Sequence, residues 1–210
     1  PMTGGVVNTI NTRLDTRTVA YILDHSDCKV FIVDRQFHNV AIDAIAQVNR
    51  EIIVIDIDDK QAGLGDIPAI GKLEYESFLQ TGDEGFEWIR PDDEWQAISL
   101  NYTSGTTGNP KGVVYHHRGS YLMSMGSITA WNMPNRLTYL YTVPMFHCNG
   151  WGYPWTLAML HARVIFIRNI VVKEIFELIN KYEVTHFGGA PIVLNMIANA
   201  PADDQKALKN

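Results

Sequence analysis

The sequence predicts an α/β fold in which parallel-rich sheets carry helices on both faces. Over the first 55 residues, compact apolar runs alternate with amphipathic segments. Such alternation with short connections is typical of parallel crossover units. A second series of the same kind begins near residue 97, and 46% of the 210 residues are hydrophobic. That content is enough for a packed core.

The first series of elements lies before residue 56. Asp15 is a suitable N-cap for the helix that follows it, where Val19, Ile22 and Leu23 fall on one face. In order, the predicted elements are a short strand within 4–14, a helix after Asp15, a strand at 29–33, a helix over 40–48 and a strand at 52–55.

Charged and glycine-broken segments then separate the two series. They occupy 56–68, 81–85 and 90–94. Because their acidic residues lack the spacing of a calcium loop, we expect a solvated surface rather than a cation site. We place the boundary between two α/β lobes here, with residues 1–90 in the first lobe and 91–210 in the second.

The second series extends to the end of the chain. Its predicted elements are strands at 97–102, 113–115, 137–143, 163–167 and 184–187, and helices over 120–131, 152–160, 171–181 and 192–198.

Composition excludes several kinds of partner. The net charge is −6 and no Lys/Arg cluster occurs, which argues against nucleic acid. No apolar run approaches the roughly 20 residues of a membrane span. Two distant cysteines, Cys28 and Cys148, are typical of a reducing compartment, so we expect a cytoplasmic location. The sequence does not reveal the oligomeric state, and a homodimer remains open.

The segment from Tyr102 to Gly112 has the composition of a phosphate-binding loop. It contains three glycines, one lysine and a run of Ser and Thr hydroxyls between two predicted strands. Glycines let backbone N–H groups surround an oxyanion, hydroxyls add donors, and lysine supplies positive charge. The mononucleotide motif does not fit, because Pro110 stands where its second glycine should be. The dinucleotide fingerprint does not fit either, because a strand rather than a helix follows.

The full string Tyr-Thr-Ser-Gly-Thr-Thr-Gly-Asn-Pro-Lys-Gly resembles the phosphate loop of the acyl-adenylate-forming enzymes. These are the acyl- and aryl-CoA synthetases, the adenylation domains of peptide synthetases and the luciferases. The resemblance implies that the chain is part of their N-terminal domain and binds ATP with Mg²⁺, and that Thr103 also reaches the metal. The implied phosphate-binding residues are Thr103, Ser104, Gly105, Thr106, Thr107, Gly108 and Lys111.

A second string, Pro-Met-Phe-His-Cys-Asn-Gly-Trp at 144–151, resembles the substrate signature of acyl-CoA synthetases. In that family His147 and Trp151 would border the pocket for the carboxylic acid, with Trp151 as a gate. The turn containing Gly189 would line the acyl pocket. From the residues alone, composition favours a core role for Met145, Phe146 and Trp151. The segment 188–191 fits a plain strand-to-helix turn as well as it fits a pocket wall.

Two pairs of adjacent residues that contain histidine do not have the spacing of a metal site or a catalytic pair. His116 and His117 are neighbours without a third metal ligand nearby, so we expect a structural role. His147 and Cys148 are adjacent, which is a poor arrangement for a Cys–His nucleophile.

The resemblance covers the whole chain, but several motifs of the family are missing. These are the Tyr-Gly-x-Thr-Glu string, the Ser/Thr-Gly-Asp string and the C-terminal domain with its lysine. We therefore expect an internal fragment of a fatty-acyl or related acyl-CoA synthetase, which makes acyl-AMP from ATP and transfers the acyl group to CoA. The fragment alone is expected to be inactive. Alternatives are an aryl-acid or amino-acid adenylating enzyme and a non-catalytic nucleotide-binding module.

Overall fold

The computed structural model describes residues 1–103 and 108–205 and has the α/β architecture that the sequence predicts. The chain forms two compact units, Pro1–Tyr115 and His116–Asn210. None of the described helices is long and apolar enough to cross a membrane.

The described strands of the first unit form two three-stranded sheets. β2, β3 and β4 form one sheet in that order, and β1, β5 and β6 form another in which β1 runs parallel to β5. The described strands are β1 (Val7–Asn8), β2 (Val30–Asp34), β3 (Ile53–Ile57), β4 (Leu73–Glu74), β5 (Ala97–Thr103) and β6 (Lys111–His116). The described α-helices are α1 (Thr16–His25), α2 (His38–Ile45) and α3 (Tyr75–Leu79).

The helix α1 forms as its sequence predicts. The carboxylate of Asp15 accepts a hydrogen bond from the Thr18 backbone N–H at 3.0 Å, which satisfies a donor that the first turn leaves open. The predicted apolar face is buried, and Leu23 packs with Ala44 of α2 in the core of this unit. The N-cap and the buried face of α1 are therefore confirmed.

The first unit extends beyond residue 90, where the sequence placed a boundary. Val7 of β1 pairs with Ser99 of β5, so the chain after residue 90 returns to the sheet that residue 7 begins. This long-range pairing, which local composition does not reveal, assigns residues 91–115 to the first unit.

The second unit is built on one parallel sheet with strand order β8, β7, β9. Its described strands are β7 (Thr138–Tyr141), β8 (Arg163–Phe166) and β9 (His186–Gly188). Its described helices are α4 (His117–Ala130), the single turn α5 (Cys148–Trp151), α6 (Tyr153–Met159), α7 (Val172–Tyr182), α8 (Pro191–Ala198) and α9 (Ala202–Gln205).

Helices cover both faces of this sheet. Tyr139 of β7 packs in a cluster with Leu157 of α6. The next residue, Leu140, points to the opposite face and packs with Ile175 of α7 and Val193 of α8. Alternation of side chains along one central strand thus buries both of its faces, as expected for a parallel sheet.

Candidate functional site

The candidate phosphate loop lies between β5 and β6, as the sequence predicts. Thr103 is the exposed last residue of β5, and Lys111 is the exposed first residue of β6. Gly108 has a φ of +154°, which residues with a side chain rarely adopt. Ser104, Gly105, Thr106 and Thr107 lie outside the described residues.

Gly112 lets the two strands beside the loop approach each other. A Cβ at this position would lie 3.0 Å from the Leu100 Cδ1 atom, which is tighter than ordinary packing. The last glycine of the predicted loop signature therefore allows β6 to pack closely against the Leu100 side chain of β5.

The end of β5 is fixed by a contact that the sequence did not suggest. The Tyr102 hydroxyl lies 2.7 Å from Nδ1 of His25 at the end of α1. Tyr21 packs against both rings. Burial, and then the neighbouring Tyr21 hydroxyl, raise the pKa of Tyr102, which keeps it a neutral phenol at physiological pH. The residue that precedes Thr103 is thus anchored to a helix.

The candidate acid-binding residues lie at the carboxyl edge of the β8–β7–β9 sheet. Tyr141 of β7 is paired in register with Gly188 of β9, so the chain leaves both strands at the same edge. The Thr142 hydroxyl donates to the Gly188 carbonyl and so joins the carboxyl ends of β7 and β9. Gly189 follows β9 directly, and the predicted substrate signature follows β7. The carboxyl ends of parallel strands are where α/β folds place ligands.

His147 and Trp151 are carried by a left-handed turn. From Cys148 through Gly152, five consecutive residues have φ between +44° and +69°. The Trp151 N–H donates to the His147 carbonyl at 3.2 Å, so the two ends of the turn are bonded. Trp151 is 38% exposed, and His147 is also exposed. The structure therefore brings the two predicted acid-binding residues onto one short turn.

Sequence reasoning missed the residue that contacts this turn from β7. The buried Tyr141 hydroxyl donates to the Gly150 carbonyl at 2.8 Å. Burial raises the pKa of Tyr141, with a smaller contribution from Tyr153, so the phenol stays protonated and able to donate. The one available signal was the position of Tyr141 at the end of the strand that enters the substrate signature.

The histidine pair after β6 has a structural role in one of its members. Nδ1 of His116 accepts a hydrogen bond from the Gly119 N–H at 2.9 Å and so caps α4. This cap explains why α4 begins at His117, three residues before the predicted start. Within residues 1–103 and 108–205, no three His, Cys, Asp or Glu side chains are grouped to hold a metal ion.

One group of charged residues differs from its prediction. Asp56, expected in a solvated acidic segment, lies in β3 and is only 1% exposed. Arg35 donates to both Asp56 and Asp58 at 2.5 Å, and Lys60 lies 2.6 Å from Asp58. A pocket of about 250 Å³ lies beside these ion pairs. Because the facing charges are already paired, this pocket is not a candidate for the acid or the phosphates.

The described phosphate-loop residues belong to the first unit, and the acid-binding candidates belong to the second. The parallel sheets, their helices and the loop between β5 and β6 define the class of the N-terminal domains of adenylate-forming enzymes. The N-terminal domain of FACL13 from Mycobacterium tuberculosis has this fold, with a TM-score of 0.71 and 28% identity over 94% of this chain and 46% of that one.

The chain belongs to the AMP-binding enzyme family, whose pattern it matches over residues 1–210. It is 45% identical to the peroxisomal acetate/butyrate–CoA ligase AAE7 of Arabidopsis thaliana, over 97% of this chain and 38% of that protein. It is 43% identical to the acetate–CoA ligase CCL3 of Humulus lupulus, again over 97% of this chain and 38% of that protein. The chain thus spans well under half the length of these curated relatives.

Proposed function

We propose that this chain is part of an AMP-forming acid–CoA ligase. In the proposed reaction a carboxylate oxygen attacks the α-phosphorus of ATP, and pyrophosphate leaves. The CoA thiol then attacks the acyl carbon of the acyl adenylate, and AMP leaves. The observation that carries this proposal is membership of the AMP-binding enzyme family along the whole chain, with CoA ligases among the relatives.

The proposed role of the loop follows from where charge develops. When pyrophosphate leaves, negative charge accumulates on the β- and γ-phosphates, and preorganised donors stabilise that charge most effectively. We assign this role to the backbone and hydroxyl groups of residues 103–108 and to the ammonium group of Lys111. The exposure of Thr103 and Lys111, at the two strand ends that flank the loop, supports the assignment.

A magnesium ion fits this site as a partner of ATP. Mg²⁺ prefers oxygen ligands and commonly takes several of them from substrate phosphates and water. Among the described residues no cluster of protein ligands competes with that arrangement, and the exposed Thr103 hydroxyl is the oxygen ligand that we assign. Bound there, the ion would neutralise charge on the leaving pyrophosphate.

The proposed substrate is a small aliphatic carboxylic acid. The segments that follow β7 and β9 start at the same edge of the sheet. They carry His147, Trp151 and Gly189, and this shared position supports a common role in binding the acid and its acyl chain. Relatives named for acetate and butyrate favour a short chain over a long fatty acid. We also propose a cytoplasmic location, although AAE7 is named as peroxisomal; microscopy of the tagged full-length protein would distinguish the two.

Acid-dependent exchange of labelled pyrophosphate into ATP tests the adenylation step. The full-length protein should catalyse exchange with short acids such as acetate and butyrate, and less with long-chain, aromatic or amino acids. Pyrophosphate exchange only with aromatic or amino acids would instead assign the chain to the aryl-acid or amino-acid adenylating enzymes. No exchange with any acid would favour a non-catalytic nucleotide-binding module.

Two loop variants test the role of the donors. Lys111→Ala and Thr106→Ala should each reduce exchange by about 10²- to 10³-fold, the usual effect of removing one such donor. Lys173→Ala, which removes an exposed lysine from α7, is the matched control and should leave the rate unchanged. Near-normal exchange in both loop variants would contradict the assignment.

The 210-residue chain alone should bind phosphate weakly at most and form no acyl-CoA. It lacks the sequence motifs that the family uses for adenine, ribose and the catalytic lysine. Ligation by the isolated chain would show that these motifs are dispensable.

A further inference from the structure

The turn that carries His147 and Trp151 is unusual in its backbone conformation. Non-glycine residues rarely adopt positive φ, and then mostly as single residues. Here Cys148, Asn149 and Trp151 have φ of 48°, 44° and 57°, with Gly150 and Gly152 between and after them. Conformations of this kind persist only where surrounding contacts hold them, and they are concentrated at functional sites.

The Tyr141 hydroxyl supplies such a contact at the middle of the turn. It donates to the Gly150 carbonyl at 2.8 Å, and the bond is buried. Gly150 has a φ of +60°, and a Cβ there would overlap the Tyr141 hydroxyl. The absence of a side chain at Gly150 is therefore what lets the phenol approach the backbone.

The ring of Tyr141 is itself held in place. It stacks on Phe166 at the end of β8, with ring centres 5.6 Å apart, and meets Tyr139 edge-on at 5.7 Å. A hydroxyl on a fixed ring is a rigid donor, because few side-chain rotations remain to be restricted when it bonds.

We propose that Tyr141 is a positioning residue for acid binding, an inference that rests on the proposed function. Its hydroxyl holds the left-handed turn so that His147 and Trp151, four residues apart, face the carboxylic acid together. The bond acts on the backbone of the turn that carries both acid-binding candidates, whereas the residues assigned to the phosphates lie elsewhere in the sequence, at 103–111. We therefore expect loss of the hydroxyl to weaken binding of the acid and to leave ATP binding unchanged.

The test is Tyr141→Phe in the full-length protein, which removes the hydroxyl and keeps the ring. Tyr182→Phe is the matched control. Tyr182 ends α7 and lies against Arg163, the first residue of β8, at the amino end of that strand. Both variants lose one phenol oxygen from the same unit, at opposite ends of its sheet.

The first readout is pyrophosphate–ATP exchange as a function of acid and of ATP. Tyr141→Phe should raise the KM for the acid about tenfold, which corresponds to about 1.4 kcal/mol, while the KM for ATP stays within twofold of wild type. Tyr182→Phe should change neither constant. An unchanged acid KM, or equal increases in both KM values, would overturn the proposal.

The second readout does not depend on activity. Hydrogen exchange of the peptide covering 147–152 should be about tenfold faster in Tyr141→Phe than in wild type. The Trp151 and Gly152 amides donate to the His147 and Cys148 carbonyls within the turn, and these bonds open more often once the turn loses its contact at Gly150. An unchanged rate of hydrogen exchange would overturn the proposal even if the wild type proved catalytically inactive. A wild type without acid-dependent exchange of pyrophosphate would refute the proposed ligase function separately.

Discussion

Removing Arg35 should destabilise the sheet formed by β2, β3 and β4 by about 3 kcal/mol. Asp56 is 1% exposed, and its carboxylate has two partners in the structure, the Arg35 guanidinium and the Gly71 N–H at 3.2 Å. Replacing Arg35 by Met leaves a buried carboxylate with the backbone donor alone. Breaking a buried pair in this way costs about 3–5 kcal/mol. We expect the lower end because the Arg35 side chain is 18% exposed and water can enter.

Native-state hydrogen exchange of the full-length protein measures this loss where it occurs. A change of 3 kcal/mol corresponds to about 150-fold faster exchange of the protected amides in Val30–Asp34 and Ile53–Ile57. The control is Lys29→Met, which breaks the Lys29–Asp27 ion pair, where the side chains are 73% and 63% exposed. An exposed pair contributes at most about 1 kcal/mol.

The comparison between the two variants decides the matter. If Arg35→Met accelerates exchange no more than Lys29→Met does, the buried ion pair does not stabilise the sheet and the reasoning is refuted. The double variant Arg35→Met, Asp56→Leu should recover much of the protection, because it leaves no unpaired charge in the core.

Three further predictions follow from single positions. Gly71→Ala should lower the free energy of unfolding of the first unit by about 1–3 kcal/mol, because its Cβ would overlap the Val54 carbonyl oxygen; denaturant titration checks this, and an unchanged midpoint would contradict it. Hydrogen bonds from the Thr18 backbone and side chain hold the pKa of Asp15 below the usual value of an aspartate, so its stabilisation is full above that usual pKa and is lost as pH falls through the lowered pKa. Thermal melts of Asp15→Ala should thus differ from wild type at neutral pH and converge with it in acid, below the lowered pKa; a constant difference across the pH range would refute the cap. Gly150→Ala should abolish acid-dependent pyrophosphate–ATP exchange at acid concentrations that just saturate the wild type, because its Cβ would displace the Tyr141 hydroxyl. Wild-type kinetics in this variant would contradict the proposed positioning of the turn by Tyr141.

Elements whose signals are local were predictable from the sequence. The buried face of α1 follows from apolar spacing, and its start follows from Asp15, which accepts from a neighbouring backbone N–H. β7 and β8 are compact apolar runs. They pair in parallel, as the alternation of strands and helices along the chain implies. The loop between β5 and β6 was predictable only through the resemblance of its full eleven-residue string to a family signature, because a Gly-, Ser- and Thr-rich segment by itself is more often an ordinary solvated loop.

Features that depend on long-range contacts were not predictable. Asp56 is buried because β2 and β3 pair and bring Arg35, 21 residues earlier, beside it. The Tyr102–His25 contact joins residues 77 apart. The left-handed turn after His147 contradicts the local preferences of its non-glycine members, since contacts from β7 rather than propensity hold it. Each of these features arises only after the chain has folded.

The fate of the carboxylate oxygen tests the central claim most directly. The full-length protein would be incubated with ATP, CoA and acetate carrying ¹⁸O in both carboxylate oxygens, and the AMP would be analysed by mass spectrometry. If the carboxylate attacks the α-phosphorus and the CoA thiol then cleaves the acyl–oxygen bond, each AMP formed carries one ¹⁸O. Acyl-CoA formation with unlabelled AMP, or with the label in inorganic phosphate, would contradict adenylation and the function proposed for this chain.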